Sequence, residues 1–457
     1  MSAPRRVAII GAGVTGLSAA YHLHRAGAAV RVFERSDRVG GPVHSTRDGD
    51  WLVESGPNSI QESSTELTRL IQDIGLDEVR SPAQAAARNR YILRNGRPVA
   101  APSSPPGILT SSLFSLGGKF RLFGEVLKRP RVRRSDVNLA DFVRSHFGDD
   151  IVDYGLNPFV SGVYAGDPEK LSAKHAFPSL WKMERETGSI IRGQIKAAKQ
   201  RRASGESAGP PAIISFQDGL GMLPLALAKQ LPPDAIELGA SVNSLVRSAD
   251  GWKLVWNRSE QTQTESFDRV LLALPAAALA RLSIGSLGEC PLAALADIDY
   301  PPVSALFLGY RREQVSHPLD GFGLLMPQKE HRQILGVLFS SSLFAGRAPA
   351  GHVGLTVMMG GVHRRDLGTA SQEQLTKIAR AELAAVIGVT GEPVYARLRQ
   401  WPRAIPQYTL GYERYVKAME QCENQHSGLL IGGHVRDGIS LPNCLSAGAK
   451  LARRALA

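Results

Sequence analysis

A glycine-rich turn between two buried strands constrains this chain more than any other feature. The stretch "RRVAII" at 5–10 has the pattern of a buried strand, and "GAGVTG" at 11–16 follows it in GxGxxG spacing. "LSAAYHLHRAG" then predicts a helix ending at Gly27, and "AAVRVFE" predicts a second strand ending at Glu34. Together they form a complete βαβ unit, the unit that binds dinucleotides.

Each part of this unit has a physical role in binding. Gly11 permits the tight turn, Gly13 lets backbone approach a pyrophosphate, and Gly16 lets helix and strand pack closely. The helix N-terminus faces the phosphate charge, and Glu34 is placed to accept both ribose hydroxyls. A purely structural glycine turn is the alternative, and agreement of strand, helix and acid argues against it.

A second glycine turn follows the acid. Glu34 alone does not separate NAD from FAD, but Arg38, Gly40 and Gly41 resemble the RxGG extension of the amine-oxidase-like flavoproteins. In that group the extension contacts the phosphates and ribitol of FAD, so the resemblance implies non-covalent FAD. An ordinary loop turn is the alternative.

The dinucleotide unit is expected to be one part of a discontinuous domain. The resemblance implies an α/β and α+β chain in which residues 1–85, 212–284 and 396–457 form a Rossmann-like FAD-binding domain. Residues 86–211 would form a helical domain associated with both the substrate and the membrane, and residues 285–395 a mixed-sheet substrate domain. The stretches 236–248 and 267–279 are predicted strands, 428–456 is predicted as strand, glycine turn and helix, and the polar 203–212 as an exposed loop.

Several longer stretches resemble one enzyme family. "LVESGPNSI" at 52–60, "SGVYAGDPEKLS" at 161–172 and "FSSSLFAGRAP" at 339–349 are similar to protoporphyrinogen oxidases, including their coproporphyrinogen-oxidising relatives. "QWPRAIPQYTLGY" and "GGHVRDGISLPNC" add to the resemblance, which covers nearly the whole chain. It implies these cofactor contacts: Gly11, Ala12, Gly13, Val14, Thr15, Gly16, Glu34, Arg35, Gly40, Gly41, Gly56, Pro57, Asn58, Ser59, Val242 (adenine), Trp401, Gly433, Gly438, Ile439 and Ser440.

The implied substrate is an apolar macrocycle with propionate arms. Leu325, Leu335 and Met358 fall where relatives line the substrate slot; relatives of the chloroplast type have a stacking Phe at the position of Met358. Arg90 falls where relatives keep an arginine for a propionate, and Gly166 lies in a loop that in relatives is close to the reacting carbon of the macrocycle. From the residues alone, core positions are the favoured interpretation of the apolar three, and a solvated surface position is the favoured interpretation of Arg90.

The family chemistry is a six-electron oxidation of a porphyrinogen, with hydride transfer to flavin and reoxidation by molecular oxygen to give hydrogen peroxide. No residue is identified as a catalytic acid or base, and His434 and Asp437 have no assigned role. We expect the two-propionate substrate, protoporphyrinogen IX. The alternatives are coproporphyrinogen III, an FAD-dependent amine oxidase using Trp401 and Tyr408 as an aromatic pair, a porphyrin carrier, or a carotenoid-type desaturase.

Composition bounds the partners. A net charge of +12 in 457 residues favours anionic partners, but no basic-aromatic interleaving points to nucleic acid. The three cysteines are scattered and the histidines lack the spacing of metal ligands, so no metal site is expected. Neither a signal peptide nor a transmembrane helix is expected. Phe120, Phe123 and Leu127 lie at helical spacing in the basic stretch 117–134. We expect a cytoplasmic protein, with peripheral attachment to the inner face of the cell membrane, a homodimer and hand-off to ferrochelatase left open.

Overall fold

A computed structural model describes residues 5–102, 105–203, 211–249 and 251–457. Its strands are, in chain order, β1 Arg6–Ile10, β2 Ala29–Glu34, β3 Ser45–Asp48, β4 Trp51–Glu54, β5 Ile60–Glu62, β6 Arg80–Pro82, β7 Asn89–Arg94, β8 Arg97–Ala100, β9 Ala212–Phe216, β10 Ile236–Leu238, β11 Ala240–Ser248, β12 Gly251–Arg258, β13 Gln261–Phe267, β14 Arg269–Leu272, β15 Ser283–Gly285, β16 Val303–Arg311, β17 Gly321–Leu325, β18 Gly336–Leu338, β19 His352–Gly360, β20 Tyr395–Trp401 and β21 Leu429–Ile431.

The α-helices are α1 Val14–Arg25, α2 Thr65–Asp73, α3 Pro105–Thr110, α4 Leu116–Glu125, α5 Leu139–Phe147, α6 Asp149–Ile151, α7 Asn157–Tyr164, α8 Ala173–Ala176, α9 Pro178–Thr187, α10 Ile190–Ala203, α11 Met222–Lys229, α12 Ala276–Leu279, α13 Ser340–Leu343, α14 Gln372–Ile387, α15 Glu413–Gln425 and α16 Leu441–Leu456. Most of the polar stretch predicted as an exposed loop, residues 204–210, lies outside the described residues.

A five-stranded parallel sheet carries the dinucleotide unit. Its strand order is β10-β2-β1-β14-β21, and β1 lies between β2 and β14. Because both faces are covered, β1 is a continuous apolar run rather than an alternating one. The first and last helices pack together against this sheet: Ser18 Oγ donates to the Leu445 carbonyl at 2.8 Å, and a Cβ at Gly448 would lie 2.4 Å from the Thr15 carbonyl oxygen.

The stretch 236–248, predicted as one strand, is two strands in two different sheets. β10 pairs with β2 in the parallel sheet, whereas β11 pairs with β12 in a four-stranded sheet of order β13-β12-β11-β15. Gly239 separates them with φ +71°, a conformation that L side chains rarely adopt. The prediction of a single strand was therefore wrong at this glycine.

A seven-stranded mixed sheet forms the second large layer, in the order β20-β16-β19-β18-β17-β7-β8. Its first edge strand comes from residues 395–401, and its other edge is the β7–β8 hairpin at 89–100. The hairpin turns at Asn95 (φ 50°) and Gly96 (φ 73°), the Asn-Gly pair typical of tight hairpins. The start of the segment expected to be helix-rich is thus strand, because this turn returns the chain along β7.

Residues 105–203 are helical, and a buried polar cluster lies among them. Both ring nitrogens of His146 face carboxylates, Nδ1 to Glu125 at 2.8 Å and Nε2 to Glu184 at 3.1 Å. Arg133 donates to both oxygens of Glu184 at 2.8 Å, so it points inward rather than contributing to a surface cationic run. Burial would raise the pKa of Glu125, but hydrogen bonds from His146, Ser189 and backbone amides hold that pKa below its usual value.

The surface of α4 and the segment after it exposes large apolar side chains, namely Leu116, Phe120, Phe123, Leu127 and Val132. Arg121, Arg129 and Arg131 are exposed among them, so this surface is both apolar and basic. Within the described ranges, no helix combines the length and apolar character needed to cross a bilayer.

Candidate functional site

The first glycine turn is packed on one side and open on the other. A Cβ at Gly16 would lie 1.9 Å from the Gly11 carbonyl oxygen, and one at Gly11 would lie 2.6 Å from the Ala273 carbonyl oxygen. A Cβ at Gly13 would meet nothing within 4 Å. Gly13 is also the N-cap of α1 and supplies no side-chain hydrogen bond to the first-turn amides that Val14 and Thr15 contribute. This open, donor-rich helix start fits a pyrophosphate.

Glu34 at the end of β2 is held against the same turn. Its Oε2 accepts the Ala12 backbone N–H at 2.9 Å, and its Oε1 accepts the N–H and hydroxyl of Ser36 at 3.0 and 2.8 Å. These contacts fix the carboxylate beside the glycine turn, where it can accept further hydroxyl donors. The neighbouring Arg35 is exposed.

The second glycine turn lies directly on the first. The Gly40 N–H donates to the Ala12 carbonyl at 2.8 Å, and a Cβ at Gly41 would lie 3.7 Å from the Gly13 Cα. Arg38 donates to the Gly41 carbonyl at 2.9 Å and so closes its own loop. The two turns form one continuous surface, as expected for a ligand longer than a mononucleotide.

The loop at 55–59 extends this surface towards β20. A Cβ at Gly56 would lie 2.3 Å from the Pro42 carbonyl oxygen, directly after the second turn. The indole N–H of Trp401 donates to the Ser55 carbonyl at 2.7 Å, and Asn58 donates to the Gly56 carbonyl at 3.2 Å. The remaining predicted residues of this loop, Pro57 and Ser59, are partly buried.

The turn before α16 reaches the start of α1. A Cβ at Gly433 would lie 3.4 Å from the Thr15 hydroxyl, and the Gly438 N–H donates to the Tyr408 hydroxyl at 3.2 Å. Ile439 follows, partly buried, and the exposed Ser440 caps α16 by accepting the Asn443 N–H. Val242 is not part of this turn; it lies in β11, opposite Trp256. Three residues before it, the Gly239 N–H donates to the Ser36 carbonyl.

Two of the predicted substrate residues, Leu325 and Met358, lie in the strands on either side of β18 in the seven-stranded sheet, and Leu335 directly precedes β18. Leu325, Gly336 and Met358 pair across β17, β18 and β19, so their side-chain positions share one face. Leu325 and Met358 are partly exposed, as is Leu335, whose N–H donates to the Met358 carbonyl at 2.8 Å. Leu324, Val337 and Val357, on the opposite face, are buried in the core. We call the Leu325–Met358 side the slot face.

Helix α7 approaches the slot face at a glycine. A Cβ at Gly162 would lie 2.6 Å from Leu325 Cδ2. A Cβ at Gly166 would instead lie 2.4 Å from Gln407 Oε1, a side chain that donates to the Tyr164 carbonyl at 2.8 Å. The close approach at Gly166 in this structure is therefore to Gln407, which sequence reasoning did not identify.

Arg90 is exposed on β7, the strand next to the edge strand β8 of the same sheet. Its guanidinium lies 5.9 Å from the Phe322 ring centre, and no carboxylate of the described residues forms an ion pair with it. Of the two nearby arginines, Arg94 turns away and lies 4.3 Å from the Tyr154 ring centre, whereas Arg97 is exposed beyond the hairpin turn.

Comparison with known proteins adds to this geometry. The family model for flavin containing amine oxidoreductases matches residues 14–456. The chain belongs to that family. It is 35% identical to protoporphyrinogen oxidase 2, chloroplastic/mitochondrial, of Arabidopsis thaliana, over 98% of this chain and 93% of that protein. It is 26% identical to coproporphyrinogen III oxidase of Staphylococcus aureus (strain NCTC 8325 / PS 47), over 99% of both chains.

The fold of this flavoprotein family member is also found in solved structures. A crystal structure from Exiguobacterium sp. 255-15 superimposes with a TM-score of 0.81 at 23% identity, covering 99% of this chain and 98% of that one. The parallel sheet with its glycine turn and the mixed sheet are therefore features of a known architecture. The predicted membership of the amine-oxidase-like flavoproteins, among relatives of the porphyrinogen oxidases, is confirmed.

Proposed function

We propose that this chain is an FAD-dependent, oxygen-dependent protoporphyrinogen oxidase. The observation that carries the proposal is the 35% identity, over 98% of the chain, to a plant protoporphyrinogen oxidase. The slot face supports it, because it places two partly exposed apolar side chains, Leu325 and Met358, on one side of the mixed sheet, where an apolar macrocycle could pack. Coproporphyrinogen III is the second candidate substrate, favoured by the match to a coproporphyrinogen III oxidase along nearly its whole length.

The glycine turns, Glu34, the 55–59 loop and the turn before α16 would hold non-covalent FAD. Bound there, FAD would supply the electron acceptor for oxidation of the substrate, with molecular oxygen as the final acceptor and hydrogen peroxide as the product. The chain's own contribution is orientation: Leu325, Leu335 and Met358 exclude water from one side of the macrocycle, and Arg90 binds a propionate at the edge. No catalytic acid or base is assigned to a side chain.

An amine oxidase is less well supported by this geometry. The aromatic pair expected of that chemistry would need Tyr408 beside Trp401 with an open ring face. Tyr408 is instead buried, its hydroxyl donates to the His434 carbonyl, and its ring packs at 4.6 Å from that of Tyr412. The Tyr408 ring is therefore packed against other protein side chains and offers no open face to a substrate.

The test measures initial rates with protoporphyrinogen IX and coproporphyrinogen III on one FAD-loaded sample. Porphyrin fluorescence and peroxide are followed together, with an amine substrate as control. We expect turnover of the porphyrinogens with preference for protoporphyrinogen IX. A strong preference for coproporphyrinogen III would move the assignment to the second candidate, and amine turnover alone would overturn it. Cytoplasmic location with peripheral membrane binding, a homodimer and hand-off to ferrochelatase stay predictions.

A further inference from the structure

The turn between β21 and α16 carries a histidine and an acid to which the sequence assigned no role. Asp437 is explained by its own turn: its Oδ2 accepts the Gly433 N–H at 2.9 Å, and its Oδ1 lies 3.5 Å from Lys450 Nζ. His434 differs, because its ring makes no contact that closes the turn. It reaches instead to Tyr300, in the segment before β16.

The contact with Tyr300 selects one tautomer of His434. His434 Nε2 lies 3.1 Å from the Tyr300 hydroxyl, and that hydroxyl accepts the Ala276 N–H at 3.2 Å. The hydroxyl has one hydrogen to donate, and among the described residues Nε2 is the acceptor within its reach. A hydroxyl that already accepts one N–H is best satisfied by donating its hydrogen to Nε2, and a neutral imidazole then carries its own hydrogen on Nδ1.

The surroundings keep this ring uncharged at neutral pH. Burial lowers the pKa of His434 to about 4, and no described carboxylate contacts the ring. Burial likewise raises the pKa of Tyr300, so its hydroxyl stays protonated. The pair is a neutral donor chain, Tyr300 to His434.

The pair lies at the edge of the parallel sheet where dinucleotides bind. Ala276 and His434 follow the carboxyl ends of β14 and β21, and Ala273, just before Ala276, touches the first glycine turn. Tyr408 fixes the His434 backbone by donating to its carbonyl. Within the described part of the chain, His434 Nδ1 has no hydrogen-bond partner.

We propose that His434, fixed in its Nδ1–H tautomer by Tyr300, is a neutral hydrogen-bond donor to an acceptor atom of the bound flavin dinucleotide. Tyr300 is its positioning residue. The inference rests on the proposed function in one respect only, namely that a flavin dinucleotide occupies this edge. A preset donor binds more tightly than a freely rotating one, because its orientation is fixed before the ligand arrives.

The first arm of the test determines the tautomer directly. ¹⁵N spectra of histidine-labelled protein, assigned with the His434→Leu variant, are recorded with and without FAD. We expect a protonated Nδ1 and an unprotonated Nε2 for His434 in both states at pH 7. In Tyr300→Phe we expect a mixture of tautomers. A protonated Nε2 in the wild type would overturn the inference.

The second arm measures the FAD dissociation constant by flavin fluorescence, without any porphyrinogen. We expect His434→Leu to weaken binding about tenfold, the loss of one hydrogen bond, and Tyr300→Phe to weaken it less. His434→Asn, which keeps a side-chain N–H donor, should recover most of the affinity. A merely structural role would predict equal losses for Leu and Asn.

The failures of this inference and of the proposed function are distinguishable. Equal FAD affinity in the wild type and His434→Leu overturns the inference alone. A protein that binds FAD with the expected pattern but oxidises no porphyrinogen overturns the substrate assignment and supports the inference.

Discussion

At the two glycine turns of the dinucleotide surface, contacts join residues that are close in sequence: Ala12 donates its N–H to the carboxylate of Glu34, 22 positions later, and accepts the N–H of Gly40. On the slot face, Leu325 meets Gly162 of a distant helix and shares a strand row with Met358. The first surface depends on backbone atoms and missing side chains, whereas the second depends on side chains brought together by sheet register. Substitutions in the dinucleotide surface and in the slot face should therefore affect different properties of the protein.

The largest effects of substitution are expected in the first glycine turn. There, one glycine should affect mainly the stability of the fold and another mainly the binding of FAD. Gly16→Ala places a Cβ against backbone at 1.9 Å, so we expect the apoprotein to lose about 3 kcal/mol or more of stability. Gly13→Ala meets nothing within 4 Å and should leave the apoprotein Tm unchanged while weakening FAD binding about 100-fold. Thermal melts and FAD titrations of both variants make the comparison. Normal FAD binding by Gly13→Ala would contradict the placement of the pyrophosphate.

The next effect concerns pH. Burial lowers the pKa of His434 to about 4, whereas an unfolded histidine titrates near about 6.5. The unfolded chain therefore binds this proton first as pH falls, and the apoprotein should lose about 3 kcal/mol between about pH 6.5 and pH 4. Denaturant unfolding of the wild type and His434→Asn across this window measures the difference. Identical pH slopes would show that the ring is not buried as described.

The slot face should respond in substrate binding rather than in folding. Arg90→Ala is expected to raise KM about tenfold with little loss of kcat, because a propionate contact binds substrate and transition state alike. Arg97→Ala, on the same hairpin and also exposed, is the matched control and should change neither KM nor kcat. An unchanged KM for Arg90→Ala would remove Arg90 from the substrate site.

The smallest effect is expected at the apolar surface around α4. Phe120→Glu and Leu127→Glu should reduce sedimentation with phosphatidylserine-containing vesicles several-fold, since each removes exposed apolar area and adds negative charge. Leu287→Glu, also highly exposed but outside the helical segment, is the control. Equal binding by all three variants would argue against membrane attachment through this surface.

The same contrast explains what the sequence could predict. The strand, turn, helix and acid of residues 5–34 follow local rules, and the structure has them nearly as expected. The crossing from one sheet to another at Gly239, the inward turn of Arg133 and the packing of Gln407 on Gly166 depend on distant partners. The Asn95–Gly96 pair was a local hairpin signal that sequence analysis overlooked. Tyr300 carries no motif, and its pairing with His434 is visible only in three dimensions.

The buried cluster of Glu125, His146, Glu184 and Arg133 affects the rigidity of helix α4 and of its exposed apolar side chains. Glu125 is the last residue of α4, and its carboxylate is tied to His146 and to the start of α10. The end of the helix that exposes Phe120 and Phe123 is therefore held in place by α5 and α10, with no external partner needed. Binding of this helix to another surface should therefore cost little conformational entropy, because the helix is already fixed before contact.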